Sequence, residues 1–305
     1  MKKTKHKGTP DLILTSDWHL REDTPPSRTD DFWKAQWSKV SQIWEMQLEY
    51  DCPILHAGDL FHHWKPSPYL LRECLASIPE FFVSIYGNHD LPNNNSDLAN
   101  KSGVGVLVEA GKVGEFVSKN EHDRVFFDYE KLKAADKTWA GFEYKEKKIL
   151  MLHEFVWDGK HIPWPGYEGK GKAESILKKY PEFDLIVTGD NHKPFVTEHK
   201  GRILVNPGCL TRQAADFANY EPRVYLWFAD TNTVEPFYLD IEEGVVSREH
   251  LENKEAKDKR IEAFISRLSD DWEVSASFED NLETFLKTNK VRKEVKELIY
   301  KAIEL

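Results

Sequence analysis

An α/β fold built on repeated strand, loop and helix units is predicted by three observations. Short apolar, β-branched runs recur along the chain, helical stripes lie between them, and each run stops at a polar segment carrying Asp, Asn or His. The first run, Asp11 to Thr15, reads as a buried strand that delivers Ser16-Asp17-Trp18-His19. The charged, proline-bearing stretch Arg21 to Asp30 reads as loop. From Phe32 to Tyr50 the apolar residues Phe32, Trp33, Trp37, Val40, Ile43, Trp44 and Leu48 recur mostly three or four apart, which is a helical stripe; its tryptophans are expected in a core or an interface. Pro53 to Ala57 is the next strand, broken by Gly58-Asp59. Pro66 to Pro68 opens a second helix through Ala76, and Phe81 to Tyr86 is a strand ending in Gly87-Asn88-His89-Asp90. Ligands of open α/β sheets gather beyond the carboxyl ends of strands, so these polar motifs are expected to converge on one crevice.

The middle is less regular. Asn93 to Lys101 reads as polar loop, and Val104 to Val108 and Val125 to Phe127 as weak strands. Trp139 to Tyr144 alternates, and Lys148 to Leu152 is an apolar strand that delivers His153. A loop from Trp157 to Gly171 holds Trp157, Trp164 and Tyr167 among glycines and prolines. These rings suit either of two roles, a stacking wall for bases or a cover for the sheet. A lysine-rich helix to Tyr180 precedes the strand Asp184 to Thr188, which ends in Gly189-Asp190-Asn191-His192. Strands Phe195 to Glu198 and Arg202 to Val205 lead to Asn206-Pro207-Gly208-Cys209, a tight turn that either supports His192 or is a plain turn. Val224 to Phe228 and Val234 to Leu239 read as sheet edge or hairpin.

Composition shifts after about Glu242, where charged helical patterns carry narrow apolar stripes. Residues 1–242 are therefore expected to form the catalytic domain and 243–305 a helical arm for partner docking or dimerisation. The chain has 305 residues, 40% of them hydrophobic, with ten Trp, eleven Tyr and seventeen Phe, which excludes a mainly disordered protein. No run of 18 apolar residues occurs and no signal core follows the basic start, so no membrane association and a cytoplasmic location are expected. Cys52, Cys74 and Cys209 lie far apart, as reduced core thiols do. The formal charge of −10 argues against a generally cationic nucleic-acid coat, but not against a phosphate substrate held by bound cations.

Asp17, His19, Asp59, Asn88, His153, Asp190 and His192 all fall at or just beyond strand ends. Singly each is an ordinary cap or rim residue; together they form a hard oxygen and nitrogen set suited to Mn, Fe, Zn or Mg. This ordered set resembles that of the calcineurin-like metallophosphoesterases. Thr15 to Leu20, Leu55 to His62 with Lys65-Pro66-Ser67, and Gly87 to Asp90 are most similar to the double-strand-break repair nucleases of the Mre11 and SbcD type. The resemblance spans about Asp11 to Leu210.

It implies a four-layer αββα sandwich of two mixed sheets and two divalent ions, Mn2+ foremost with Mg2+, Fe2+ or Zn2+ as alternatives. Asp17, His19 and His192 would hold the first ion, Asn88, His153 and Asp190 the second, and Asp59 both. His89 would serve the leaving oxygen, Asp90 would orient that ring or pair locally, and His62 would contact the substrate phosphate. The family's usual Gly-His-x-His is here Gly189-Asp190-Asn191-His192, which exchanges an imidazole for a harder carboxylate and favours Mn or Mg. The implied function is DNA cleavage by the catalytic subunit, a homodimer in that branch, with an ABC-type ATPase of the SbcC/Rad50 kind as partner. A small-molecule or cyclic-nucleotide phosphohydrolase on the same core, and a catalytically silent scaffold, are the alternative readings.

Overall fold

The computed structural model describes residues 8–114, 131–135, 137–160, 162–164, 167, 169–270 and 278–303. The strand expected at Val125 to Phe127 lies outside them. Two sheets form. In the first, β1 (Leu12–Thr15), β2 (Ile54–His56) and β3 (Phe82–Ser84) run parallel, and β10 (Arg223–Phe228) and β11 (Thr233–Tyr238) join antiparallel on the other side of β1. The second contains β4 (Lys131–Ala135), β5 (Trp139–Tyr144), β6 (Lys147–Leu152), β7 (Leu185–Thr188), β8 (Phe195–His199) and β9 (Arg202–Asn206), in the order β4-β5-β6-β7-β9-β8. Its strands β6, β7 and β9 are parallel, flanked by antiparallel neighbours.

Alternating side chains explain the layering. Leu12 and Leu14 of β1 pack with Phe142, Met151, Val187 and Trp227 between the sheets, whereas Ile13 points the other way, to a core with Val40, Ile43 and Met46. Those last three belong to α1 (Phe32–Tyr50), capped by Asp31, whose side chain accepts from the Lys34 N–H. The same outer core takes in Leu70 and Cys74 of α2 (Pro68–Ser77), which opens on the Ser67 cap with Pro68 at its first position. The opposite outer face of the second sheet packs on α4 (Ala173–Lys179) through Ile176 and Leu177. The result is helix, sheet, sheet, helix.

Val104 to Val108 belongs to a helix, α3 (Gly103–Glu109), and is not a strand. Val104, Leu107 and Val108 stand at helical spacing on its buried face, and the Ser102 hydroxyl accepts from the Gly105 N–H as its cap. A short apolar run does not distinguish the two structures by pattern alone. Asn93 to Lys101, expected as loop, contains two short 3-10 turns, Pro92–Asn94 and Ser96–Lys101. The three cysteines are free and buried, and burial pushes the Cys52 thiol up to about 12.

The chain divides into two compact units, the first through Ser247 and the second from Arg248. The second contains α5 (Glu249–Asp270), α6 (Phe278–Thr288) and α7 (Lys293–Ile303). Among the described residues, no helix is long and apolar enough to cross a membrane.

Candidate metal centre

The carboxyl ends of β1, β2, β3, β6 and β7 bring polar loops from both sheets to one place. After β1 the chain turns through Asp17 and His19, both at positive φ (51° and 45°), while Trp18 between them is fully buried and donates Nε1–H to the Thr15 hydroxyl at 2.7 Å. Anchoring Trp18 in the core leaves its two neighbours on the site. After β2, Asp59 is also left-handed (φ 60°), as is Asp190 after β7 (φ 70°). Non-glycine residues seldom adopt this conformation, and four of the seven expected ligands do. The Asp17 and His19 N–H groups donate to the Gly58 and Asp59 carbonyls, and the Asp190 N–H donates to Asp17 Oδ1 at 3.0 Å, which ties the two sheets together at the site.

Among the described residues, three groups of side chains present ligand atoms within 4.8 Å of one another: Asp17, His19 and His192; Asp17, Asp59 and His153; and His19, His62 and His89. His19 Nε2 and His192 Nε2 are 3.0 Å apart, each 3.8 Å from Asp17 Oδ1. Asp59 Oδ2 lies 3.6 Å from His19 Nε2 and 3.3 Å from His153 Nε2, so one oxygen faces both imidazoles. His153 Nε2 is also 3.1 Å from Asn88 Oδ1, and its Nδ1–H donates to the Ala57 carbonyl at 2.7 Å, which fixes the tautomer that leaves Nε2 toward the site. Glycine is required nearby: a Cβ on Gly87 would stand 2.0 Å from Asp59 Oδ1.

These donors fit divalent cations. Among the described residues, Asp17 Oδ2 and His19 Nδ1 are buried without a hydrogen-bond partner, a costly arrangement in a low-dielectric interior unless another group is bound. The set is oxygen and imidazole nitrogen without thiolate, as hard and borderline ions prefer.

Residues 11–194 match the calcineurin-like phosphoesterase family. The chain belongs to that family. It is 24% identical over 234 residues to the DNA double-strand break repair protein Mre11 of Haloferax volcanii, a match covering 70% of this chain and 48% of that protein. The chain thus spans about half the length of this curated relative. Among solved structures, a novel archaeal phosphodiesterase is similar with a TM-score of 0.40 and 14% identity, over 75% of this chain and 99% of the other. Vacuolar protein sorting 29 from Cryptosporidium parvum gives 0.35 and 18%, over 77% and 100%.

Burial shapes the electrostatics of the phosphoesterase site. It raises Asp17 to about 6 against the pull of His153 and His192. It holds His19 well below the ordinary imidazole range, so the lone pair of one ring nitrogen is available to an ion. Burial also acts to lower His153, but the hydrogen bond and charge of Asp59, with that of Asp17, override it and raise the group to about 10. Asp59 moves in the complementary direction: burial opposes ionisation, and the His153 contact nevertheless holds it below the usual carboxylate range.

The remaining expected residues fall as follows. His89 Nδ1–H donates to the His62 carbonyl at 2.8 Å, and its ring lies 4.8 Å from that of His19. His62 stacks on His89 at 5.6 Å, and burial together with the Arg21 charge lowers it to about 4. The oxygens of Asp90 accept from the Leu60, Phe61 and Gly87 N–H groups, while Nδ1–H of His89 meets the His62 carbonyl. The carboxylate of Asp190 belongs to none of the three donor groups found among the described residues.

Two residues support the site, of which Asn191 carries no signal in the sequence and Asn206 belongs to the turn already noted there. Asn191, between two expected ligands, donates Nδ2–H to the Val156 carbonyl at 2.7 Å, tying the β7 loop to the loop after His153. Asn206 donates to the Asn191 carbonyl at 2.7 Å, and the Cys209 N–H donates to the His192 carbonyl, so the Asn-Pro-Gly turn supports His192.

Proposed function

We propose that the chain is a metal-dependent phosphodiesterase that cleaves DNA, using two divalent cations of which Mn2+ is the foremost candidate. The observation that carries this reading is Asp59 Oδ2 facing both His19 and His153, which makes two donor groups into one continuous site. Asp17, His19 and His192 would hold one ion, Asn88, His153 and Asp190 the other, and Asp59 would serve both. When bound, such a pair supplies the positive charge that acidifies water and neutralises phosphoryl oxygens.

The chain's own groups position and move protons. Asp59 Oδ1 accepts the His89 N–H at 2.8 Å, so the carboxylate shared by both donor groups also seats the histidine. With Nδ1–H committed to the His62 carbonyl, Nε2 is the ring nitrogen of His89 left to serve the leaving oxygen, to which it would pass a proton from the doubly protonated ring. His62, uncharged at neutral pH, contributes its carbonyl and a neutral ring beside the phosphate. Asp190 in the place of an imidazole makes the second position harder and favours Mn2+ or Mg2+.

DNA as the substrate rests on the motifs Leu55 to His62, Lys65-Pro66-Ser67 and Gly87 to Asp90, and on the similarity to a protein named for double-strand break repair. The helices from Arg248 onward would serve as an arm for an ABC-type ATPase or for a second copy of the chain. Purified protein with Mn2+ or Mg2+ is to be assayed on single-stranded DNA, double-stranded DNA and bis(p-nitrophenyl) phosphate. Release of nucleotides supports the reading. Cleavage confined to the small ester points instead to a small-molecule phosphohydrolase, and inertness with every ion to a scaffold. Anomalous scattering that locates a single Mn2+ would defeat the two-ion assignment.

A further inference from the structure

Beside the metal centre lies a cavity of about 370 Å³, within the range of small-ligand pockets, lined among others by Phe155, Trp157, Trp164, Phe195, Asn191 and Lys193. Its aromatic side is built rather than incidental. Trp164 and Phe155 have ring centroids 5.1 Å apart, Trp164 and Tyr167 4.5 Å, and Trp157 and Tyr167 5.9 Å, nearly perpendicular. Trp157 Nε1–H and the Tyr167 hydroxyl both donate to the Lys170 carbonyl, which pins the two rings from below. The Trp157 and Lys172 backbones form a bridge that closes the base of the loop. Trp157 is buried, whereas Trp164 keeps 49% of its surface exposed, an aromatic face held in place and left open.

The cavity is continuous with the catalytic loops at two points. Phe155 follows His153 by two residues, and Asn191 lines the wall between Asp190 and His192 while its side chain grips the Val156 carbonyl. Consecutive Cα atoms are about 3.8 Å apart, so the backbones of two lining residues, Asn191 and Phe155, stand one and two residues from His192 and His153. Lys193 and Asp158 bring one charge of each sign to the lining, so the aromatic surface and not net charge is what the cavity offers a ligand. Every nucleobase has a π-face that stacks on such rings, and a base inside an intact duplex cannot present one.

We propose that this cavity is a stacking subsite for the nucleobase adjoining the scissile phosphate, so that the protein takes strands whose base is unpaired there. The inference rests on the phosphodiesterase reading and narrows its substrate to single-stranded or frayed DNA.

The test separates the two. Affinity is measured by fluorescence anisotropy on the full chain, with Ca2+ in place of Mn2+, for a ten-nucleotide thymidine strand and for an abasic strand of the same length. Hydrolysis of methyl p-nitrophenyl phosphate with Mn2+ is measured separately. The wild type should bind the thymidine strand roughly tenfold more tightly, Trp164→Ala should abolish that preference, and Trp164→Phe should restore most of it. Equal affinity for the two strands, or a preference that survives Trp164→Ala in protein with unchanged circular dichroism, overturns the subsite. Equal affinity alongside hydrolysis of the small ester overturns the subsite and leaves the phosphodiesterase reading standing. Base preference without hydrolysis of any ester defeats that reading and with it a subsite placed beside a scissile phosphate, leaving only a base-binding pocket.

Discussion

His153 concentrates the proton chemistry of the site in one side chain. In the protein without ions the Asp59 contact raises it to about 10, so at neutral pH a cation entering beside Nε2 must displace a proton. Loading Mn2+ at pH 7.5 should therefore release about one proton per chain from this group, and the apparent affinity should rise about tenfold per pH unit between pH 7 and 8.5. Calorimetry in buffers of different ionisation enthalpy measures the release; an affinity flat across this range would refute the assignment. His89 is the complementary case, held by the His62 carbonyl and the Asp59 carboxylate but outside the Asp59 and His153 pair. His89→Asn should keep Mn2+ binding and lower turnover by roughly 10² to 10⁴. Steady-state rates beside a Mn2+ titration distinguish a lost proton donor from a lost ion.

At the scale of elements, the loops after β2 and β3 are held together by Asp90. Its buried carboxyl, pushed up to about 7 by burial and the Asp59 charge, accepts three backbone N–H groups from the two loops. Asp90→Ala would orphan all three and should cost at least about 3 kcal/mol of stability. The same variant should weaken Mn2+ binding, because the Leu60 and Phe61 backbone that follows Asp59 and the Gly87 backbone that precedes Asn88 would lose their common brace; urea midpoints and ion titrations report the two effects. The apolar runs that make β1, β2, β3, β6 and β7, and the Asp17, His19, Asp59, Asn88, His153 and His192 positions at their ends, were legible because strand period and polar termination are local properties. Val104 to Val108 was not, since four apolar residues around Gly105 satisfy either period and the Ser102 cap decided between them. The role of Asp90 was open for another reason: adjacency to His89 in sequence says nothing about which backbone groups come to its carboxylate. The two strands expected as sheet edge or hairpin form the β10–β11 hairpin with β11 at the edge, whereas the insertion of β10 beside β1 is a long-range pairing without a local signal.

For the whole molecule, acid resistance depends on His56 in the outer core. This side chain is fully buried against Trp18 and Phe82, bonded through Nδ1 to Ser84 Oγ, and held at about 3 chiefly by burial. Its folded-state value lies below the ordinary 6.5, so the unfolded chain binds the proton first and stability falls as pH drops from 6.5 toward 3. The loss from this group should reach about 2 kcal/mol at pH 5. His56→Gln should flatten the dependence of the urea midpoint on pH over that window, while an unchanged slope would assign the acid sensitivity elsewhere.

The Asp190 N–H on Asp17 Oδ1 joins loops that arise from different sheets, and the donors around them are divided between the same two halves. Filling the centre would thus rivet one half of the sandwich to the other. Amide hydrogens in both halves should then exchange more slowly in concert, and chelation should release them together rather than one sheet at a time.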